Sequence, residues 1–184
     1  MSGRFAGRNI IVTGGGRGIG QAAARQFAAE GGDVLLLGRT AADLDAAVVE
    51  IEAAGGGAIV HNASIDASGG DGPFAAYNAS KAALLGLNRT MALELAEHGI
   101  RSNCVSPGFT HTEMTEKAVG PEMMSYLNGQ FARVPMKRLV RTDEVANAIL
   151  FLSSEDASAI TGIDLRVDCG LTSNWFILET LPEH

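Results

Sequence analysis

No apolar run in this chain of 184 residues approaches the roughly 20 residues that a membrane-spanning helix needs, so a helical membrane protein is excluded and one soluble globular domain, residues 1–184, is expected. Cysteine is scarce. Cys104 and Cys169 lie far apart, each on or beside an expected strand, so ordinary buried thiols are expected rather than the alternative, a disulfide between them. The four histidines have no metal-ligand spacing among themselves or with the cysteines, so no metal site is expected. Basic residues are outnumbered, 14 against 21 acidic, and the net charge of -7 argues against nucleic acid or an anionic membrane as a general partner. Met1 to Arg8 lacks the basic-then-apolar pattern of a secretory leader, so a cytoplasmic protein is expected. The glycosylation patterns at Asn62 and Asn78 are discounted for the same reason. Repeats, linkers and low-complexity segments are missing too.

Glycine is abundant at 23 residues, and its placement carries information. The apolar run Ile10-Ile11-Val12 leads into Thr13-Gly14-Gly15-Gly16-Arg17-Gly18-Ile19-Gly20 and then into an alanine-rich helical stretch. Strand, glycine turn and helix in that order let backbone N–H groups at a helix N-terminus approach a pyrophosphate with no side chain in the way. A flexible turn would need only some of these glycines. Further strands are expected near 33–37, 58–63, 101–105 and 164–167, with helices between, and Thr40 and Thr142 each precede a periodic apolar run as helix caps. This alternation predicts an α/β fold: a parallel sheet with helices on both faces.

A second constellation is Ser64, then Tyr77 13 residues later, then Lys81 one helical turn beyond in Tyr77-Asn78-Ala79-Ser80-Lys81. Residues four apart share a helix face, so the Lys81 ammonium can sit near the Tyr77 phenol and favour its ionised form. Such a phenol can exchange protons near neutral pH. A chance pairing on a solvated face would give the same two residues without the serine or the glycine turn.

Together these residues resemble the short-chain dehydrogenase/reductase family, whose Thr-Gly-x-x-x-Gly-x-Gly turn and Ser, Tyr, Lys set match Thr13 to Gly20, Ser64, Tyr77 and Lys81. Further matches are Asn103-Cys104-Val105-Ser106-Pro107-Gly108-Phe109-Thr110-His111-Thr112 and Ile160-Thr161-Gly162, so the resemblance runs from about Phe5 to Gly170. It is similar in flavour to 3-oxoacyl carrier-protein reductases and polyketide-type ketoreductases. The resemblance implies a Rossmann-like doubly wound sheet, with Ser64, Tyr77 and Lys81 as catalytic residues. It also implies a dinucleotide held by Thr13, Gly14, Gly16, Arg17, Gly18, Ile19, Gly20, Tyr77, Lys81, Pro107, Gly108, Thr110 and Thr112.

One departure from the family is large. Gly55-Gly56-Gly57 runs straight into Ala58-Ile59-Val60-His61-Asn62-Ala63-Ser64, where the family places two more strands and two helices, so roughly 60 residues are missing near 55–60. The sheet is therefore expected to shorten to about five strands, with the serine strand beside the first. His61 to Ser64 also looks like a degraded form of the family's Asn-Asn-Ala-Gly motif, but the interval from Ser64 to Tyr77 favours the serine-strand reading. Because parallel crossovers are right-handed in about 98% of cases, the helix around 41–54 is expected to be displaced or exchanged between chains.

Cofactor choice turns on Gly38-Arg39 after the second strand, where an acid would select NAD and repel a 2′-phosphate. Arg39, with Arg17 in the glycine turn, can pair with that phosphate, so NADP(H) is expected, with NAD(H) as the alternative. Phe109, Met114, Met123, Met124, Tyr126, Leu127, Phe131 and Met136 suit a mobile cover over an apolar substrate. The expected activity is hydride transfer between NADP(H) and a small-molecule ketone or secondary alcohol with an apolar portion. A long helix over 75–97, apolar along Leu84, Leu87, Met91 and Leu95, points to a homodimer or homotetramer. The competing reading is a catalytically impaired dinucleotide-binding or oligomerisation module that keeps the glycine turn.

Overall fold

The computed structural model describes residues 3–13, 18–37, 57–70 and 72–174. The first unit is a strand, helix, strand: β1 (Asn9–Thr13), α1 (Gly18–Ala29) and β2 (Asp33–Leu37), with β1 and β2 parallel in the register Asn9 to Asp33 and Thr13 to Leu37. Across the junction, β3 (Gly57–Asn62) carries the chain through the short 3-10 turn Ile65–Ala67 into α2 (Ala75–Glu94) and back along β4 (Ile100–Pro107). Next come β5 (Thr110–His111), α3 (Glu113–Leu127), β6 (Val140–Arg141), α4 (Thr142–Ser153) and β7 (Asp164–Val167). β4 lies between β3 and β7, parallel to both, while β5 and β6 form a separate two-residue ladder.

The fold is a shortened Rossmann-like α/β arrangement, with five parallel strands of four or more residues among those described. The pairing differs from the expectation. Among the described residues no ladder joins β1 to β3, and the five strands form a pair, β1-β2, and a trio, β3-β4-β7. Side-chain packing explains the difference. Ala23 and Phe27 of α1 pack with Ala146 and Leu150 of α4 over Ile10, Val12 and Val34 of the first sheet. The same α4 presents Val145 and Leu152 to Val60, Val105, Leu165 and Val167 of the second sheet, and Ile149 touches both clusters. Direct pairing of β1 with β3 would require this helix layer to shift, and a close-packed interior resists such a move. The segment around 41–54, with its expected displacement or exchange, lies outside the described residues.

β4 shows why this strand is central. Its residues from Ser102 to Ser106 are fully buried, and they alternate between two helix layers, as a strand's period of two requires. Val105 faces the α4 cluster, whereas Ser102 and Cys104 meet Asn88 and the Leu84 carbonyl on α2. Burial pushes the Cys104 thiol up to about 12, and neither cysteine is in a disulfide. α2 ends at Glu94, short of the expected 97, because a 3-10 turn at Ala96–His98 and a left-handed Gly99 close it.

A polar chain crosses this interior. Ser102 Oγ donates to Asn88 Oδ1 at 2.8 Å, and Asn88 Nδ2 donates to the Ile163 carbonyl at 3.1 Å. The single Ser102 proton is thereby committed, so His61 Nε2, 3.2 Å from Ser102 Oγ, is the donor. Burial holds the His61 pKa below 6.5. The unfolded chain therefore binds the extra proton first as pH falls, and stability declines through and below pH about 6.5. In urea titrations at about pH 8 and pH 5.5, the wild-type protein should lose more stability on acidification than His61→Gln. An equal loss in both would show that His61 is not the sensitive group.

Leu150, 2% exposed, is the α4 side chain packed with Phe27 and the first sheet. Leu150→Ala should cost about 2–5 kcal/mol in chemical denaturation. Leu93→Ala, at a position 80% exposed, should fall within about 0.5 kcal/mol of wild type.

Candidate active site

The C-terminal ends of β3 and β4 gather most of the polar residues singled out in the sequence. Ala63 N donates to the Val105 carbonyl at 2.8 Å, which prolongs the β3-β4 pairing by one residue before the chain turns at Ser64. Ser64 is extended and caps the 3-10 turn. Its Oγ accepts from Asp66 N and donates to Asp66 Oδ2, both at 3.2 Å. Ser64 is buried, whereas Tyr77 on the first turn of α2 is 45% exposed.

Lys81 follows Tyr77 by one turn and reaches back to the strand. Its Nζ donates to the Asn62 carbonyl at 2.7 Å and lies 5.6 Å from the centre of the Tyr77 ring. Desolvation lowers the Lys81 pKa. The lysine therefore links the strand that delivers Ser64 to the helix that delivers Tyr77, and the three residues share one end of the second sheet. Ser80 Oγ donates to the Tyr77 carbonyl at 2.6 Å.

The residues expected to hold a dinucleotide divide into three groups. Thr13 ends β1, and Gly18, Ile19 and Gly20 form the first turn of α1. Gly18 has φ +57, and open space surrounds the position where a Cβ would stand. Ile19 packs into the second-sheet cluster. Gly14, Gly16, Arg17 and Arg39 lie outside the described residues.

The third group follows β4. Gly108 N donates to the Val167 carbonyl at 2.9 Å, and a Cβ at Gly108 would lie 2.9 Å from the Asp168 Cα, so only glycine allows this approach of the two strand ends. Thr110 Oγ1 donates to the Gly108 carbonyl at 2.9 Å. Thr112 caps α3, accepting from Thr115 N at 3.2 Å. Thr115 Oγ1 gives its proton to the Thr110 carbonyl, so the 3.0 Å contact between the Thr112 and Thr115 hydroxyls has Thr112 as donor.

A cleft of about 310 Å³ joins Gly18 at the start of α1 to Thr112 at the start of α3, with Arg25, His111, Glu116 and Thr142 also on its walls. Two residues assigned to the dinucleotide from distant parts of the sequence thus share one cavity. An open glycine approach, helix N-termini, Arg25 and a capping hydroxyl fit an anionic diphosphate, whereas Glu113 and Glu116 on the same walls oppose one. Among the described residues no cluster of three or more His, Cys, Asp or Glu could hold a metal ion.

Sequence reasoning overlooked Asp66, which holds the Ser64 hydroxyl, and the pair formed by His111 and Glu116, 2.7 Å apart. The Ser-x-Asp spacing is a recognisable turn signal. The pairing of His111 with Glu116 needed the sharp entry into α3. Phe109 meets Phe131 edge-on with centroids 5.5 Å apart, and Tyr126 lies 6.3 Å from Phe131, so the apolar segment forms an aromatic cluster. Met123, Tyr126 and Met136 remain exposed around it.

The chain belongs to the short-chain dehydrogenase/reductase family. A family profile described as enoyl-(acyl carrier protein) reductase matches residues 44–172, and one described as short chain dehydrogenase matches residues 8–58. An oxidoreductase of Thermotoga maritima is 39% identical over 129 residues, 69% of this chain and 51% of that protein. The 3-oxoacyl-(acyl-carrier-protein) reductase of Escherichia coli is 40% identical over 115 residues, 62% of this chain and 46% of that protein. The chain thus spans about half the length of these curated relatives. A solved short chain dehydrogenase/reductase family protein superposes with a TM-score of 0.80 at 29% identity, covering 92% of this chain and 99% of that one.

Gly108→Ala tests the close approach beside the cleft. The added methyl meets backbone rather than a flexible side chain, so it should destabilise the protein by about 1–3 kcal/mol in thermal or urea unfolding. An unchanged midpoint would mean that the β4 and β7 ends separate freely.

Proposed function

We propose that this chain is an NADP(H)-dependent oxidoreductase acting on a small-molecule ketone or secondary alcohol with an apolar portion. The observation that carries the reading is Lys81 bonded to the end of the serine strand while it lies over the Tyr77 ring, which joins the three catalytic-type residues in one arrangement. When bound, the dinucleotide would supply the hydride. Ser64 would hold the carbonyl oxygen of the substrate, exchanging its hydrogen bond to Asp66 for one to the substrate. Tyr77, exposed at the front of α2, would pass a proton to that oxygen, and Lys81 would fix the phenol and meet the cofactor ribose.

Gly18, Ile19, Gly20, Thr13, Pro107, Gly108, Thr110 and Thr112 would form the cofactor walls around the cleft. Gly14, Gly16, Arg17 and Arg39 would complete the phosphate contacts. Two arginines in place of an acid support NADP(H) over NAD(H). The relatives named as 3-oxoacyl-(acyl-carrier-protein) reductases support a ketone substrate. The aromatic cluster beside Phe109 supports its apolar portion.

On the α2 face of Leu84, Leu87, Met91 and Leu95, Leu87 is exposed and the other three are half-buried, and this partly uncovered apolar face supports a homodimer or homotetramer. Among the described residues no helix is long and apolar enough to cross a membrane. The net charge of -7 supports a protein without nucleic-acid partners. Because no ladder joins β1 to β3 among the described residues, an impaired dinucleotide-binding module is the second reading. It would bind NADPH and turn over nothing.

NADPH should bind more tightly than NADH at fixed salt, and Arg39→Asp should erase or invert the preference. With a panel of small apolar ketones, NADPH consumption should be abolished in Tyr77→Phe while NADPH affinity stays within about twofold. Near-normal turnover of Tyr77→Phe would remove the phenol from its assigned role. Binding without turnover in the wild type would select the module.

A further inference from the structure

Ser64 follows β3 and caps the turn Ile65–Ala67, and both of its hydroxyl contacts are to Asp66. Asp66 N donates to Ser64 Oγ at 3.2 Å, and Ser64 Oγ donates to Asp66 Oδ2, also at 3.2 Å. A serine hydroxyl has one proton and two lone pairs, so the proton and one lone pair are engaged and a single lone pair remains. In this arrangement Ser64 is an acceptor. The residue is 8% exposed, which leaves water little room to replace the carboxylate as its partner.

The two forms of a substrate meet this serine differently. A ketone oxygen carries lone pairs only, and it gains the Ser64 proton only by taking it from a carboxylate, which is the stronger acceptor. A secondary alcohol brings its own proton and can give it to the remaining lone pair while the bond from Ser64 to Asp66 stays intact. Its hydrogen bond then extends a chain that ends on a negative charge, and successive bonds in such a chain polarise one another. Lys81, whose ammonium donates to the Asn62 carbonyl, offers donors alone, and the Tyr77 hydroxyl can donate to either form. Discrimination between the two forms therefore falls on Ser64 and, through it, on Asp66.

On the reading of Ser64, Tyr77 and Lys81 as the reaction site, we propose that Asp66 is a positioning residue that sets specificity there. By holding the Ser64 proton it lowers affinity for a carbonyl ligand and raises affinity for the matching secondary alcohol. The overall equilibrium between ketone and alcohol is fixed by the reactants, so Asp66 acts on ground-state binding and leaves that ratio unchanged.

Non-reacting ternary complexes measure these affinities without turnover: acetophenone is titrated calorimetrically into protein holding NADP⁺, and 1-phenylethanol into protein holding NADPH. Asp66→Ala removes the carboxylate but keeps the backbone N–H that donates to Ser64 Oγ. Acetophenone should bind about tenfold more tightly to Asp66→Ala than to wild type, and 1-phenylethanol about threefold more weakly. Asp66→Asn should fall between, because a neutral amide oxygen accepts the same proton less strongly. In a Ser64→Ala background, Asp66→Ala should change neither affinity, since the route through the serine is gone. A turn merely loosened by the substitution would weaken both ligands together. Shifts of the same sign, no shift, or an Asp66→Ala effect that persists without Ser64 would overturn the proposal, and continued reduction of acetophenone by NADPH would then leave the reaction site standing. Absence of both ligand binding and acetophenone reduction in the wild type would overturn the role of Asp66 together with the reading of the site.

Discussion

The packing of α4 against two separate sheets is the constraint on which the rest of the structure depends. Leu150 and Ala146 belong to the cluster over β1 and β2, Val145 and Leu152 to the cluster over β3, β4 and β7, and Ile149 to both. Hydrogen-bonded ladders hold each sheet together internally, but side-chain packing holds one against the other. The start of α1 at Gly18 and the serine after β3 are therefore placed relative to each other by helix side chains. That is an uncommon burden for a helix in a doubly wound fold, where a continuous sheet normally sets the distances between loops.

Polar contacts at both ends of α4 oppose any sliding of the helix. At its start the bidentate contact from Arg138 holds the Glu144 carboxyl down at about 2, and Glu144 also accepts from Arg141 N. At its end Arg101, on β4, donates to the Leu152 and Ser154 carbonyls at 2.6 and 3.0 Å. A cation on these terminal carbonyls satisfies acceptors that the helix cannot satisfy itself and favours the negative end of its dipole. Arg101 also ties α4 to the strand that carries Cys104 and Val105, so the helix, β4 and the Lys81 contact form one connected frame.

The sequence made local structure and chemical grouping legible to different depths. The strands β1, β2 and β3 could be read because each holds an apolar run bounded by turn residues, and the Ser64, Tyr77 and Lys81 spacing was legible because a helical turn fixes i and i+4 on one face. Strand neighbours were not. Val12 and Val60 carry no mark that says whether they pair with each other or with Leu36 and Asn103, because a strand edge is backbone and every residue but proline offers the same donor and acceptor. The answer lay in Phe27, Ala146 and Leu150, whose mutual contact spans more than 100 residues of sequence and shows no periodic signal.

The same limit applies to the site. Asp66 is two residues from Ser64 and its role is local, so the motif could have revealed it, whereas the place of His111 on a cleft whose other wall is α1 is not readable from its neighbours in sequence. Thr112 and Gly18 were read as cofactor residues by resemblance, but nothing in either segment states that they line one cavity. That adjacency follows from the α1-α4 seam, since Thr142 at the start of α4 stands on the same wall. A change that loosened Leu150 or Ala146 would therefore act on the cleft without touching it, by moving the start of α1 away from the end of β4 and the start of α3. In this chain the distance between cofactor-type and catalytic-type residues is a property of the core, and core substitutions in α4 belong with the site residues in any account of what the protein binds.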